Sequence, residues 1–238
     1  MSTRQGGVSV APWDSLNLGV AVGDDPAAVA RNRRRYTDAL EGARPVWLRQ
    51  VHGVHVRRLT AGDLAPGAAD DPADAAWTDQ PGIACTVQVA DCLPLLVARR
   101  DGSAVAAAHA GWRGLAAGVV EATVAAVCDG GTAQPADLLA WMGPCIGPRR
   151  FEVGADVLAA FGQDPAGPDP ARFVVAPRPD GQPRWLANLQ RLAADRLAAA
   201  GVVQVIMDDA CTVEDSARFF SFRRDGVTGR MAAAVWLR

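Results

Sequence analysis

The stretch from Ile83 to His109 narrows the fold most. Three apolar runs, Ile83–Val89, Leu93–Ala98 and Ala104–His109, follow one another there with only a few residues between them. Short apolar runs bounded by turn residues read as strands. The last two meet around Asp101-Gly102, a pair that a tight type I′ hairpin favours. Further strands are expected at Val46–Val51, Val54–Leu59 and Leu138–Met142, with a buried one at Val202–Met207 and a final one at Met231–Leu237. A helix is expected over 26–41, with Asp25 as its cap, Pro26 in its first turn and Gly42 after its end. Others are expected over Gly114–Cys128, ended by Gly130-Gly131, and over Trp185–Ala200, ended by Gly201. Strands and helices mix without strict βαβ alternation, which predicts an α/β fold with a mixed sheet and helices packed against it. The stretch Gly62–Gly82, rich in Ala, Pro and Asp, reads as a long surface loop and a lid.

Composition removes whole classes of chemistry. A length of 238 residues suits one domain spanning 1–238. There is no lysine, all 24 basic residues being arginine, which rules out Schiff-base catalysis and the P-loop lysine. A formal net charge of −2 argues against general affinity for nucleic acid or acidic membranes. No apolar stretch approaches the roughly 20 residues a spanning helix needs. The five cysteines are scattered without a CxxC pair, and Met1–Gly7 lacks the apolar core of a signal peptide. Cytoplasm with reduced thiols is the expectation.

Any imidazole chemistry must use His52, His55 or His109. Three segments place a metal-binding residue type at a strand end beside a turn: Gln50-Val51-His52-Gly53, Ala90-Asp91-Cys92-Leu93-Pro94 and His109-Ala110-Gly111-Trp112-Arg113-Gly114. Two imidazoles and a thiolate make a three-ligand set of the kind that leaves zinc a fourth position open. The competing reading is a small apolar cysteine and two ordinary polar histidines. His55, three residues past His52 on a continuing strand, faces the other way and reads as structural.

These residues carry a resemblance along almost the whole chain. Ser15-Leu16-Asn17-Leu18-Gly19, Gly23-Asp24-Asp25-Pro26, Asn32-Arg33 and the three segments above are followed by Gly143-Pro144-Cys145-Ile146-Gly147 and Glu152-Val153-Gly154. Cys211-Thr212, Phe219–Gly226 and Thr228-Gly229-Arg230 complete the set in order. The chain resembles the laccase-domain, or polyphenol-oxidase-like, family of purine nucleoside phosphorylases, whose bacterial members are also called peptidoglycan editing factors. The resemblance implies an α/β sandwich, and a zinc held by His52, Cys92 and His109. It also implies phosphorolysis of adenosine, inosine, guanosine and S-methyl-5′-thioadenosine, with adenosine deamination as a second activity. Arg150-Phe151 stands where the family often has Cys-Tyr, and Phe222 where it often has Tyr, so any role of those hydroxyls does not transfer.

Cys92 and His109 are the expected catalytic pair, with Asp91, beside Cys92, or Glu152 as proton shuttle. Phosphate would have to be gripped without lysine, and Gly111–Gly114 leads into a helix N-terminus where Arg113 adds a planar fork of donors. Asn17 and Arg33 are expected substrate contacts by resemblance, while the rest of the run Arg31–Arg35 reads as a solvated helix face and Cys145 as core. Rival readings keep the same residues. One is a hydrolase with Cys92 as nucleophile and His109 as base, acting on mis-made peptidoglycan precursors. Another is a copper oxidase, which three histidines are too few to equip, and a third is a non-enzymatic structural zinc module.

Overall fold

The computed structural model describes residues 1–65, 71–128 and 133–238. In chain order, α1 (Pro26–Asp38) precedes β1 (Arg44–Trp47), β2 (Val56–Arg58), β3 (Ala75–Thr78), β4 (Ile83–Val89), β5 (Leu93–Arg99) and β6 (Val105–Ala110). Helices α2 (Trp112–Ala117) and α3 (Val119–Cys128) lead to β7 (Leu138–Met142), β8 (Glu152–Val153) and α4 (Ala155–Ala160). Strands β9 (Phe173–Val175) and β10 (Trp185–Ala187), helix α5 (Leu189–Ala199), β11 (Gln204–Met207), α6 (Phe222–Asp225) and β12 (Met231–Val235) complete it.

A six-stranded mixed sheet, ordered β11-β7-β5-β6-β3-β2, forms the middle layer. Its strands alternate their side chains between two neighbours. On one face Leu93, Leu95, Val97, Ala106, Ala108 and Ala110 pack against Val120 and Val124 of α3 and Leu192 and Leu197 of α5. On the other, Ala76 and Ala107 meet Val46, Cys85, Val87 and Ala233 of a second sheet, ordered β1-β4-β12. Both faces of β6 are therefore covered, and its run of alanines lets the layers approach closely. The third sheet, β8-β10-β9, is small and antiparallel.

The mixed α/β architecture agrees with the sequence expectation, with instructive departures. Asp25 caps α1 as expected, its carboxylate accepting from the N–H groups of Ala27 and Ala28. The helix expected over Gly114–Cys128 begins at Trp112 and is broken by Gly118, whose φ of 105° closes α2 before α3 begins. Its expected terminator Gly130-Gly131 lies outside the described residues. The helix expected over Trp185–Ala200 starts only after Asn188, because Trp185–Ala187 pairs with β8 and β9 instead. At Asp101-Gly102 only Gly102 has positive φ, so the turn is not type I′, which needs it at both central residues. Strand β11 is an edge strand with Ile206 and Met207 exposed, so the buried strand expected there is corrected. The expected lid is also corrected: Gly62–Gly82 contains β3, buried between β6 and β2, although residues 66–70 lie outside the described set.

Candidate metal centre

Sheet register brings the three ligand-bearing segments to one place. His109 sits near the end of β6 opposite Pro94, and Cys92 immediately precedes Leu93 of β5. His52 lies in the bend between β1 and β2 with φ of 61°. One ligand atom from each of His52, Cys92 and His109 lies within 4.8 Å of the others, a group that can hold a metal ion. The Cys92 Sγ is 3.7 Å from His52 Nε2, and the two imidazole rings meet edge to face with centroids 4.7 Å apart. His109 is buried, Cys92 half-buried and His52 exposed, so the group opens to solvent on one side. His55 is exposed and stands outside it.

A buried carboxylate organises the group from behind. Asp74 has no solvent exposure. Its Oδ1 accepts from His109 Nδ1 at 2.8 Å and from the His52 N–H at 2.9 Å. Its Oδ2 accepts from the N–H groups of Val51 at 3.1 Å and Gly53 at 2.6 Å. One side chain thus fixes the His109 ring with Nδ1 turned away and Nε2 left for the centre, and also holds the left-handed bend at His52. A histidine oriented through its second nitrogen is the usual partner arrangement behind a metal. Sequence reasoning missed Asp74, and the signal available was only an aspartate just before a short apolar run.

The glycines of the third segment are there for space. A Cβ on Gly111 would lie 2.8 Å from His52 Cδ2 and 2.9 Å from Cys92 Sγ, and one on Gly114 would lie 2.8 Å from the Gly53 carbonyl oxygen. Only glycine lets the start of α2 approach the centre this closely. Two of the three non-glycine residues with positive φ among those described, His52 and Asp91 (φ 96°), also fall here. Backbone strain of this kind costs on the order of 1–3 kcal/mol per residue and concentrates at functional sites.

Electrostatics favour an ionised thiol. Burial pushes the Cys92 thiol up, but the imidazoles of His109 and His52 outweigh it and hold it at about 6. Burial pushes His109 down, but the Cys92 thiolate and the Asp74 carboxylate outweigh that and raise it to about 9. At neutral pH the metal-free pair is therefore thiolate and imidazolium. Cys85, Cys128 and Cys145 are all pushed up by burial, and Cys211 is buried. In metal-stripped protein at pH 7, iodoacetamide should therefore modify Cys92 at least about tenfold faster than any other cysteine. Peptide mapping checks this, and Cys128 labelling first would contradict it.

The remaining expected residues divide. Asp91 is buried, with Oδ1 accepting from Thr212 Oγ1 at 2.6 Å and Oδ2 from the Arg223 N–H at 2.7 Å. Its carboxylate ties the turn at Thr212 and helix α6 to the Cys92 turn and points at them. Asn17 is fully buried, and all four of its hydrogen-bonding positions are used internally, by Gly19 twice, Asp24 and the Arg230 N–H. It builds a wall and has nothing left for a substrate. Arg33 is half-buried, stacked 4.0 Å over Trp47, and donates to the Leu18 carbonyl, while burial lowers it to about 10. Arg113 is exposed, with its guanidinium 4.4 Å over the Trp112 ring. Helix α2, in whose first turn it lies, has only six residues, so the expected helix-end contribution to anion binding is small. Glu152 lies away from the ligand group, bound by Arg178 and held below its ordinary range by it. Among the described residues, no helix is long and apolar enough to cross a membrane.

Known proteins resemble the chain along its whole length. A family model described as multi-copper polyphenol oxidoreductase laccase matches residues 1–238. A purine nucleoside phosphorylase of Pseudomonas aeruginosa is 52% identical over 239 residues, covering 100% of this chain and 92% of the relative. The Escherichia coli purine nucleoside phosphorylase YfiH is 48% identical over 237 residues, covering 99% and 92%. Among solved structures, the Neisseria meningitidis protein NMB0706 superposes with a TM-score of 0.87 at 43% identity, covering 99% of this chain and 91% of that one. The Bacillus licheniformis protein YfiH gives 0.89 at 31% identity, with the same coverage. The chain belongs to the multi-copper polyphenol oxidoreductase laccase family.

Proposed function

We propose that this protein is a zinc-dependent purine nucleoside phosphorylase acting on adenosine, inosine, guanosine and S-methyl-5′-thioadenosine, with adenosine deamination as a second activity. The observation that carries the reading is the His52/Cys92/His109 group, three donors open on one side, in a chain whose relatives are named purine nucleoside phosphorylases. Two imidazoles and a thiolate suit zinc and are compatible with copper. When bound, the metal supplies a Lewis acid at its open position.

The chain's own residues supply the rest. Cys92 is already thiolate at neutral pH, as a ligand must be, and Asp74 presents the neutral-ring nitrogen of His109 to the centre. Arg113, at the edge of the group through Gly111, holds the phosphate that attacks C1′ as the bond to the base breaks. Asp91 and Glu152, considered as proton shuttles, have their carboxylates committed elsewhere, and His109 as a ligand has both ring nitrogens engaged, so it orients the centre and moves no proton. The reading places the reaction on nucleosides and phosphate, with no nucleic acid or membrane partner, in the cytoplasm.

Base release from inosine should require phosphate and yield ribose 1-phosphate. Arg113→Ala should raise the KM for phosphate by roughly 10- to 100-fold, the worth of a charge-assisted contact, with metal content unchanged and adenosine deamination largely retained. Chromatography of the products with and without phosphate decides it. Equal rates in phosphate-free buffer, with free ribose as product, would sink the phosphorylase reading. A second reading has one observation in its favour: Cys92, His109 and Asp74 also line up as nucleophile, base and orienting carboxylate. That hydrolase, acting on peptidoglycan precursors, would keep its activity after chelation.

A further inference from the structure

A cavity of about 650 Å³ opens around β8, its walls carrying Arg150, Arg178, Arg184 and Arg223 with two carboxylates, Glu152 and Asp156. Its size falls within the roughly 300–1,000 Å³ of small-molecule sites. The arginines come from separate parts of the chain: the turn before β8, the two arms of the β9–β10 hairpin, and α6. The hairpin arms are held in register beyond the strands, with Ala176 N–H donating to the Arg184 carbonyl and Arg178 N–H to the Gln182 carbonyl.

Glu152 is the hub. Arg178 donates to its Oε1 from Nε at 2.9 Å and also from Nη2, and Arg184 Nε lies 3.6 Å from the same oxygen. Arg223 Nη1 donates to the Glu152 backbone carbonyl at 2.9 Å. Arg150 is paired with Glu214 at 3.2 Å, which leaves three guanidiniums, Arg178, Arg184 and Arg223, against the two carboxylates of one concavity. The planar guanidinium fork matches phosphate oxygens.

We propose that this cavity binds a phosphate group, with Glu152 holding Arg178 and Arg184 ready for it. The surrounding guanidiniums, Arg178 foremost, keep Glu152 below its ordinary range, so the hub stays a carboxylate. The cavity shares no residue with the ligand group, and its link to the Cys92 turn is the Arg223 N–H, which donates to Asp91. The phosphate is either the free ion or part of a phosphorylated small molecule. The proposal concerns binding alone and does not require the phosphorylase reading.

Isothermal titration of the full metal-loaded chain with inorganic phosphate, AMP and neutral adenosine tests it. Both anions should bind, and more weakly as salt is raised. Arg178→Ala combined with Arg184→Ala should weaken them at least about tenfold while leaving adenosine unchanged. Arg178→Lys with Arg184→Lys, which keeps the charge, should restore part of the affinity and guards against a loss of fold. Phosphate binding as tightly as AMP identifies the free ion, and AMP binding more than about tenfold tighter identifies a phosphorylated ligand. Cys92→Ala should keep anion binding. The proposal is overturned if neither anion binds, or if Cys92→Ala abolishes binding that the double alanine variant retains.

Discussion

Cys92→Ala is expected to give a folded protein that holds no metal and turns over no nucleoside. The thiol is half-buried at the head of β5, and alanine fits there without a clash, so the layers should form as before. A three-donor group that loses one donor cannot keep a tight, oriented metal. Even outer partners of such groups cost about 10- to 100-fold when removed, so loss of a ligand should take activity below about a hundredth. His52→Ala should behave alike, because its side chain is exposed and its ring contact is with His109, itself one of the group. His109→Ala should also lose the metal, and it additionally leaves Asp74 without its imidazole partner. His55→Ala, outside the group, should keep both metal and activity. Metal content by atomic absorption, read beside circular dichroism, separates loss of the site from loss of the fold. Retention by His52→Ala together with loss by His55→Ala would show that the ligand set is wrongly assigned.

Replacing Asp74 should hurt the fold as much as the site. In Asp74→Ala, the His109 Nδ1–H and the part-buried N–H groups of Val51, His52 and Gly53 lose an acceptor that is itself fully buried. Each stranded donor costs about 1–3 kcal/mol, and even with partial rescue by water the loss should exceed about 3 kcal/mol. Asp74→Asn keeps the shape, but its amide group must face a donor and the charge is gone. It should fold, and bind metal about 10- to 100-fold more weakly. The acid limb of stability gives a second readout. Burial pushes the Asp74 carboxyl up, but the hydrogen bond from His109 and the N–H groups of Gly53 and Val51 outweigh it and hold it below the usual aspartate range. A depressed carboxyl contributes stability that is present above its unfolded value of about 3.9 and is lost as pH falls through the folded one. Urea denaturation between neutral pH and pH 3 should therefore show a steeper loss in wild type than in Asp74→Asn. Parallel curves would mean that Asp74 is not ionised in the native state.

Strands β4, β5, β6 and β7 were readable from sequence nearly to the residue, because each is a short apolar run closed by turn residues, a signal confined to a few neighbours. The Asp25 cap was readable for the same reason. The segments around His52, Cys92 and His109 stood out by residue type and by resemblance. That their donor atoms lie within 4.8 Å depends on the pairing of β5 with β6 and on the bend after β1. Residues 52, 92 and 109 are far apart in the chain, and no local pattern measures the distance between them.

Tertiary structure alone decided the rest. Asp74 looked like one more acid in a polar stretch until β3 inserted between β6 and β2 and carried it behind the histidines. Trp185–Ala187 has helical spacing, yet pairing with β8 and β9 made it a strand, since hydrogen bonds to neighbours outweigh a weak local propensity. Arg150, Arg178, Arg184 and Arg223 share no local pattern, and only folding sets them round one cavity. Periodicity, caps and turn residues act over a few positions and are written directly in the chain. Burial, strand neighbours and the field at a carboxylate arise only when distant segments meet, and they follow from register and layer packing.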